Sequence, residues 1–418
     1  MYRKSTLANG VRVLTEAMPH VRSASLGIWA DVGSAAEAHG QRGISHLVEH
    51  MLFKGTERRS AREIAETMDA VGGNLNAFTD KEATCYYAKV IDHHVPLAVD
   101  VLADMFLHST FAPAELAKEQ KVVLEEIRMY DDSPDEMIHD LFTRTMWSDS
   151  NLGEPTIGYA ETVSALTADD LRSHLRARYA PNTVVFAAAG NVEHDAFVAL
   201  VETAFAGYAG RGETPVPERP LLTPARLVKT KDTEQAYVVL GTAGLSVRDD
   251  RRFVLSVLDT ILGGGMSSRL FQEVRERRGL AYSVYSFQQS YREAGLFGVS
   301  AGTSPASVQE CIDVVVSELA RMAENGPTEA ELNLAKEHIK GSLTLSLEVS
   351  SSRMIRLGRS EFNLSRQLSI EEIERSVDAV NFEAVLELGR ELFVPERLGL
   401  CVLGPVDDAA VRWQRDAA

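Results

Sequence analysis

The sequence predicts an α+β protein built from two homologous, α/β-sandwich-like halves. Each half has a mostly antiparallel sheet covered by helices, and the halves face each other around a chamber. Three observations lead there. At 418 residues the chain is long for one compact domain, so two are expected. Strand-like and helix-like runs are grouped, as in sheets with helices packed on one face. A faint internal repeat links the ends of the halves: residues 166–192 and 380–406 each read as a helix, a break at proline and an apolar strand ending at glycine.

The elements follow in order. Residues 11–18 and 23–33 alternate or run apolar like strands, and residues 60–72 carry a helical pattern. A Gly-Gly turn at Gly72 opens residues 72–90, which continue as strands, including the run 83–91. Helical patterns return at residues 96–109 and 113–132; the latter has acidic residues early and an Asp-Asp-Ser-Pro stop. The strand at 183–190 closes the first half. Prolines and polar residues at 210–224 read as a connection, which gives a first half at 1–210, a linker at 211–225 and a second half at 226–418. In the second half, strands are expected at 235–244 and 398–404 and a helix at 307–326.

Composition narrows the function classes. The apolar content is ample for real cores, yet no run of eighteen apolar residues indicates a membrane span. The N-terminal residues lack the apolar core of a secretory signal and the Arg- and Ser-rich character of a transit peptide. Cys85, Cys311 and Cys401 are too far apart for a disulfide framework or a CxxC metal site, so a reducing cytoplasm is the expected home. A net charge of −17 argues against nucleic acid as a partner. It suits a basic peptide if the acidic groups line a binding chamber; otherwise it only keeps the protein soluble.

Residues 43–53, GISHLVEHMLF, carry the clearest chemistry. On a helix, His46 and His50 project from one face one turn apart, and Glu49 points toward the same side. This is the H-E-x-x-H zinc-hydrolase arrangement in inverted order. The competing reading is a core helix that happens to hold two histidines and a carboxylate, although an ionised Glu among Leu47, Val48, Met51, Leu52 and Phe53 is costly to bury unpartnered. Catalytic zinc takes three protein ligands and leaves a position for water. The helix at 113–132 offers Glu119, Glu125 and Glu126; Glu119 and Glu126 lie seven apart on one face, but spacing alone does not choose among the three. His93-His94, whose adjacent side chains should diverge, and His39, His108, His139 and His174, which have no spaced partner, are taken as ordinary polar positions.

The HLVEH box, the MLFKGT after it and the later VVLEEIRM resemble the pitrilysin/insulinase metallopeptidases, most of all the branch of the mitochondrial processing peptidase β-subunit and its bacterial relatives. The resemblance implies one Zn2+ per chain, held by His46, His50 and Glu126, with Glu49 as general base and Glu119 supporting the site. It also implies one live and one degenerate half. Residues 113–121 echo residues 328–340, so that Lys118-Glu119 matches Lys336-Glu337. Thr344 then stands where Glu126 does, and residues 256–271, the counterpart of HLVEH, hold no histidine.

The strand after Gly72 is read as a sheet edge to which a peptide adds. The family's "NAFT" lines substrate, which implies contacts at Asn76 and Ala77, near Thr79. Residues 270–287 combine arginines with tyrosines after a glycine turn, and the resemblance singles out Arg275 and Tyr282 as groups reaching toward the scissile bond, where they would stabilise an oxyanion. Tyr285, three residues on, should point to the opposite sheet face. The Gly263–Gly265 run lacks the P-loop pattern and reads as a flexible turn, weakly likened to a substrate-handling loop of the processing peptidases. The expected function is zinc-dependent hydrolysis of unfolded peptides or flexible segments by a homodimer. The rivals are a non-catalytic core subunit of a larger complex and a zinc hydrolase of a non-peptide substrate.

Overall fold

The structure, a computed structural model, describes residues 2–214 and 219–413; residues 215–218 of the expected linker lie outside them. Strands β1 (Tyr2–Thr6), β2 (Arg12–Ala17), β3 (Ser23–Ala30), β4 (Asn74–Thr79), β5 (Thr84–Ile91) and β6 (Val184–Gly190) form a six-stranded sheet in the order β1-β2-β6-β3-β5-β4. Every neighbouring pair is antiparallel except β2 and β6. Strands β7 (Arg226–Thr230), β8 (Ala236–Ala243), β9 (Ala281–Ser290), β10 (Gly295–Thr303) and β11 (Gly399–Gly404) form a five-stranded sheet in the order β7-β11-β8-β10-β9, with β7 and β11 as its parallel pair. Leave out β1, and the two sheets agree strand for strand in order and direction. The internal repeat is therefore a duplicated topology.

The compact units are not two consecutive blocks of sequence. One holds the chain up to Arg128, the stretch from Glu154 to the linker, and Leu345–Gln367. The other holds Met129–Gly153, the chain from the linker to Thr344, and the remainder from Leu368. Each unit thus borrows one helix from the other half.

The reason lies in the sheets. One face of the first sheet buries Leu26, Ile28, Phe186 and Ala188 with Val48, Leu102 and Phe197 from helices of its own half. The opposite face presents Leu14, Trp29, Val185 and Ala187, and the helix Ser350–Leu364 covers it with Met354, Leu357 and Phe362. With both faces covered, β6 is buried at all seven positions, which is why it reads as an unbroken apolar run. Helices on one face only, as the grouping of elements suggested, would have left this second apolar face in water. The approach is close. A Cβ on Gly358 would stand 2.2 Å from the Trp29 ring. In the second unit the helix Pro134–Met146 lies over β8 and β11, and a Cβ on Gly399 would stand 2.1 Å from the Met146 sulfur.

Two helices and one strand prepare the candidate site. The helix Ile44–Leu52 buries Ile44, Leu47, Val48, Met51 and Leu52, a stripe at helical spacing, and leaves His46, Glu49 and His50 half-buried. The helix Pro113–Asp131 is seated by Leu116 and Val123, with Glu119 buried beside them. Strand β4 is the edge of its sheet.

Candidate metal centre

His46, His50 and Glu126 each offer a ligand atom, and these atoms lie within 4.8 Å of one another. Glu126 Oε2 stands 3.5 Å from His50 Nε2 and 3.9 Å from His46 Nε2. Donors about 2.1 Å from a tetrahedral ion are about 3.4 Å apart, so Glu126 stands near the spacing zinc requires from each imidazole. The atoms around it are not otherwise satisfied: Glu126 Oε2 and His46 Nδ1 are buried without a hydrogen-bond partner. Buried polar atoms are normally paired, and a cation supplies what this carboxylate oxygen lacks. Burial, and after it the neighbouring His50, push the His46 imidazole down to about 4, so at neutral pH it is the uncharged form that a metal binds. Two imidazoles and one carboxylate fit Zn2+ by donor type and count.

The other glutamates separate cleanly. Glu119 Oε2 accepts from His50 Nδ1 at 3.1 Å, and Glu119 Oε1 forms an ion pair with Lys54 Nζ at 2.8 Å. A proton held on Nδ1 by a carboxylate leaves Nε2 as the lone-pair nitrogen on the Glu126 side. Glu125 is turned away, is 70% exposed and pairs with Arg128. Glu49 projects beside the histidines. Burial raises its carboxyl above the usual range, while a 2.5 Å hydrogen bond from Thr79 Oγ1 works the other way. Thr79 ends β4, so one edge strand carries both this hydroxyl and Asn76-Ala77. Asn76 is exposed, its Oδ1 accepting from the Ala77 amide at 2.8 Å; Ala77 packs on the core.

Arg275 and Tyr282 belong to the other compact unit. They lie together: the guanidinium sits 4.5 Å over the Tyr282 ring and donates to the Tyr282 carbonyl at 2.9 Å. Tyr282 is 77% exposed. The pairing of β9 with β10 shifts register at Tyr282, so the alternation from which Tyr285 was expected on the opposite face does not carry through this stretch; the Tyr285 hydroxyl meets His139 Nε2 at 3.0 Å. In this unit Asp259, on the helix Arg252–Gly263, accepts from Ser286 Oγ on β9. A helix carboxylate thus meets an edge-strand hydroxyl, as Glu49 meets Thr79, but with no histidine. Glu337 is exposed and paired with Lys340, and Thr344 hydrogen-bonds its own helix. Gly263 packs against the Ser286 backbone. One detail corrects the sequence reading: the His93 and His94 rings do not diverge but lie 4.0 Å apart. Sequence reasoning passed over Lys54 and Glu37. The first sits in the FKGT stretch; the second stands nine residues before His46, with no local pattern to flag it.

Residues 12–159 match the family model described as insulinase (peptidase family M16), and residues 165–339 match the model described as the peptidase M16 inactive domain. A Bacillus subtilis protein described as an uncharacterized zinc protease is 45% identical, over 97% of this chain and 98% of its own length. One from Mycobacterium tuberculosis, described the same way, is 47% identical over 96% and 93%. Among solved structures, a peptidase M16 inactive domain from Pseudomonas fluorescens matches with a TM-score of 0.91 at 21% identity, covering 97% of this chain and 98% of that one. A protease from Helicobacter pylori matches at 0.90 and 23%, covering 97% and 99%.

Proposed function

The chain belongs to the insulinase family of peptidases, family M16, and from that premise we propose that it is a zinc-dependent endopeptidase acting on unfolded peptides or flexible segments. The observation that carries the reading is the meeting of His46, His50 and Glu126, with a buried Glu126 oxygen that no protein donor satisfies. His46, His50 and Glu126 would hold the ion. Zinc in such a His2Glu set supplies a water acidified to a pKa of about 7 and a Lewis acid for a carbonyl.

The remaining chemistry belongs to the protein. Glu119 keeps the Nδ1 proton of His50 in place, and Lys54 keeps Glu119 in place. Glu49 takes the proton from the attacking water and returns it to the leaving amine. Its Oε2 is engaged by Thr79, which orients the carboxylate. The edge of β4 takes the substrate as an added strand, with main-chain hydrogen bonds at Asn76 and Ala77. Such binding reads backbone rather than sequence, and it requires an unfolded stretch. Arg275 and Tyr282 are assigned the stabilisation of the carbonyl oxygen. Placement in the processing-peptidase branch, a cytoplasmic location, a homodimer and a preference for basic peptides complete the proposal. Among the described residues, no helix is long and apolar enough to cross a membrane.

Metal analysis paired with cleavage of a quenched peptide library, with and without chelator, tests the reading. Stoichiometric zinc and chelator-sensitive cleavage are expected, with Glu49→Gln keeping the metal and losing turnover. A protein without zinc or cleavage would instead be the non-catalytic subunit, a reading in line with the inactive-domain description of the Pseudomonas fluorescens structure.

A further inference from the structure

The helix that carries His46, Glu49 and His50 begins at Gly43, a residue with φ of 89° and no side chain to cap the helix, and no acidic residue stands in its first turn. A helix start leaves backbone N–H groups without partners, and this start is fully buried, so water does not supply them. Glu37 supplies them from outside the helix. One carboxylate oxygen accepts from the Gly43 amide at 2.7 Å and the other from the Ser45 amide at 2.8 Å. The side chain is 4% exposed.

The surroundings hold this carboxylate in register. Glu37 closes the short helical turn Ser34–Ala36, which is bonded to the β4–β5 turn through the Ser34 amide to the Asp80 carbonyl at 3.1 Å and the Ala35 amide to the Lys81 carbonyl at 2.8 Å. On the far side Gly43 packs against the backbone of Ile157 and Gly158, leaving no room for a Cβ, and Thr162 Oγ1 donates to the Arg42 carbonyl at 2.7 Å. The Arg42 guanidinium, itself buried, stands 3.4 Å from Glu154. The start of the helix is therefore clamped between two loops, with the Glu37 side chain as its cap. Burial pushes the Glu37 carboxyl up to about 7 against the pull of the Ser45 and Gly43 amides. Keeping a carboxylate there is costly, which is hard to explain for a residue that only fills space.

We propose that Glu37 is a positioning residue of the metal centre: by bonding the Gly43 and Ser45 amides it sets the axial position and rotation of the helix, and so aims His46 and His50 at Glu126. Ser45 immediately precedes His46, so loss of the cap is felt first at that ligand. The inference rests on the zinc reading above, and it can fail independently of it.

The test uses the full chain and the variants Glu37→Ala and Glu37→Gln, with zinc affinity by chelator competition, the visible spectrum of the Co2+-loaded protein, kcat and KM on a cleaved peptide, and amide hydrogen exchange of residues 43–50 in the metal-free protein. Glu37→Ala should lose about 10–100-fold in zinc affinity, the usual effect of removing a group that orients a ligand. Its Co2+ spectrum should change, and kcat should fall while KM stays within about twofold. Exchange should quicken at 43–50 and nowhere else in the first unit. Glu37→Gln keeps one acceptor oxygen and should fall between the two. Wild-type affinity, spectrum and exchange in Glu37→Ala would overturn the assignment. If that variant does not fold, Glu37→Gln decides by the same readouts, unchanged values again overturning it. A wild-type protein that takes up no zinc would sink the peptidase reading instead, while exchange in the metal-free variants still judges the cap.

Discussion

Glu119 Oε2 lies 3.1 Å from His50 Nδ1, while Glu126 Oε2 lies 3.5 Å from the Nε2 of the same ring, so one imidazole is hydrogen-bonded at one nitrogen by a carboxylate and faces a second carboxylate of the same helix at the other. The two glutamates are seven residues apart, two helical turns, and the ring spans the gap between them. Lys54 closes the chain through an ion pair with the other oxygen of Glu119 at 2.8 Å. Removing Lys54 leaves a buried carboxylate oxygen without its ion-pair partner, free to turn from His50. Lys54→Met should therefore weaken zinc binding by about tenfold with little change in KM. Chelator competition measures it; an unchanged affinity would remove Lys54 from the centre.

Gly358 offers a case in which local propensity and packing disagree. In the middle of a helix, Gly→Ala normally stabilises by about 1 kcal/mol. Here the new Cβ would lie 2.2 Å from the buried Trp29 ring, and overpacking of this kind costs about 1–3 kcal/mol. Gly358→Ala is expected to lower the urea midpoint of unfolding. A raised midpoint would mean that the helix Ser350–Leu364 does not sit on Trp29.

The residues behind these two relationships were not equally legible in the sequence. His46, Glu49 and His50 announce themselves because helical periodicity alone puts them on one face. Glu126 does not: with Glu119 and Glu125 on the same helix, composition offers three carboxylates, and family resemblance was needed to choose. The helices Ser350–Leu364 and Pro134–Met146 look ordinary in sequence, since an apolar stripe states that a helix is buried and not which sheet buries it. Met354 and Met146 therefore gave no hint that they cross to the other half's sheet. Glu37 was invisible for a related reason. A cap is found by looking within four residues of a helix start, and this one arrives through space from a preceding loop.

Glu331 should make the second unit sensitive to acid. It caps the helix Glu329–Ser346 with Thr328 and accepts two 2.7–2.8 Å hydrogen bonds from Arg269. Partial burial pulls its carboxyl up, but the Arg269 and Thr328 hydrogen bonds outweigh this and hold it down to about 2. A carboxyl whose pKa is depressed on folding stabilises the folded state above its unfolded value near 4.5, and the benefit is lost as pH falls toward 2. Discounted for its partial exposure, that benefit is about 1–2 kcal/mol. Arg269→Ala should destabilise the protein by about that much at pH 7 and by less at pH 3, as read from denaturant unfolding. An equal loss at both pH values would place the role of Arg269 in packing rather than charge.

Adjacent residues Glu125 and Glu126 test the ligand set most sharply, because they share composition, helix and charge and differ only in direction. Glu125 is 70% exposed and bound to Arg128, an i,i+3 surface pair of the kind worth at most about 1 kcal/mol. The Glu126 oxygen is buried between two imidazoles with no other partner. Glu126→Ala should therefore abolish stoichiometric zinc at micromolar protein, while Glu125→Ala keeps it and alters stability by no more than about 1 kcal/mol. Loss of a negative charge is common to both substitutions, so a general electrostatic effect predicts equal losses. Direct coordination predicts loss in Glu126→Ala alone, and metal content after gel filtration separates the two. The reverse pattern, zinc lost from Glu125→Ala and kept by Glu126→Ala, would mean that the helix Pro113–Asp131 is rotated by about one residue, about 100°, from the position seen here, and the site would have to be rebuilt around the other carboxylate.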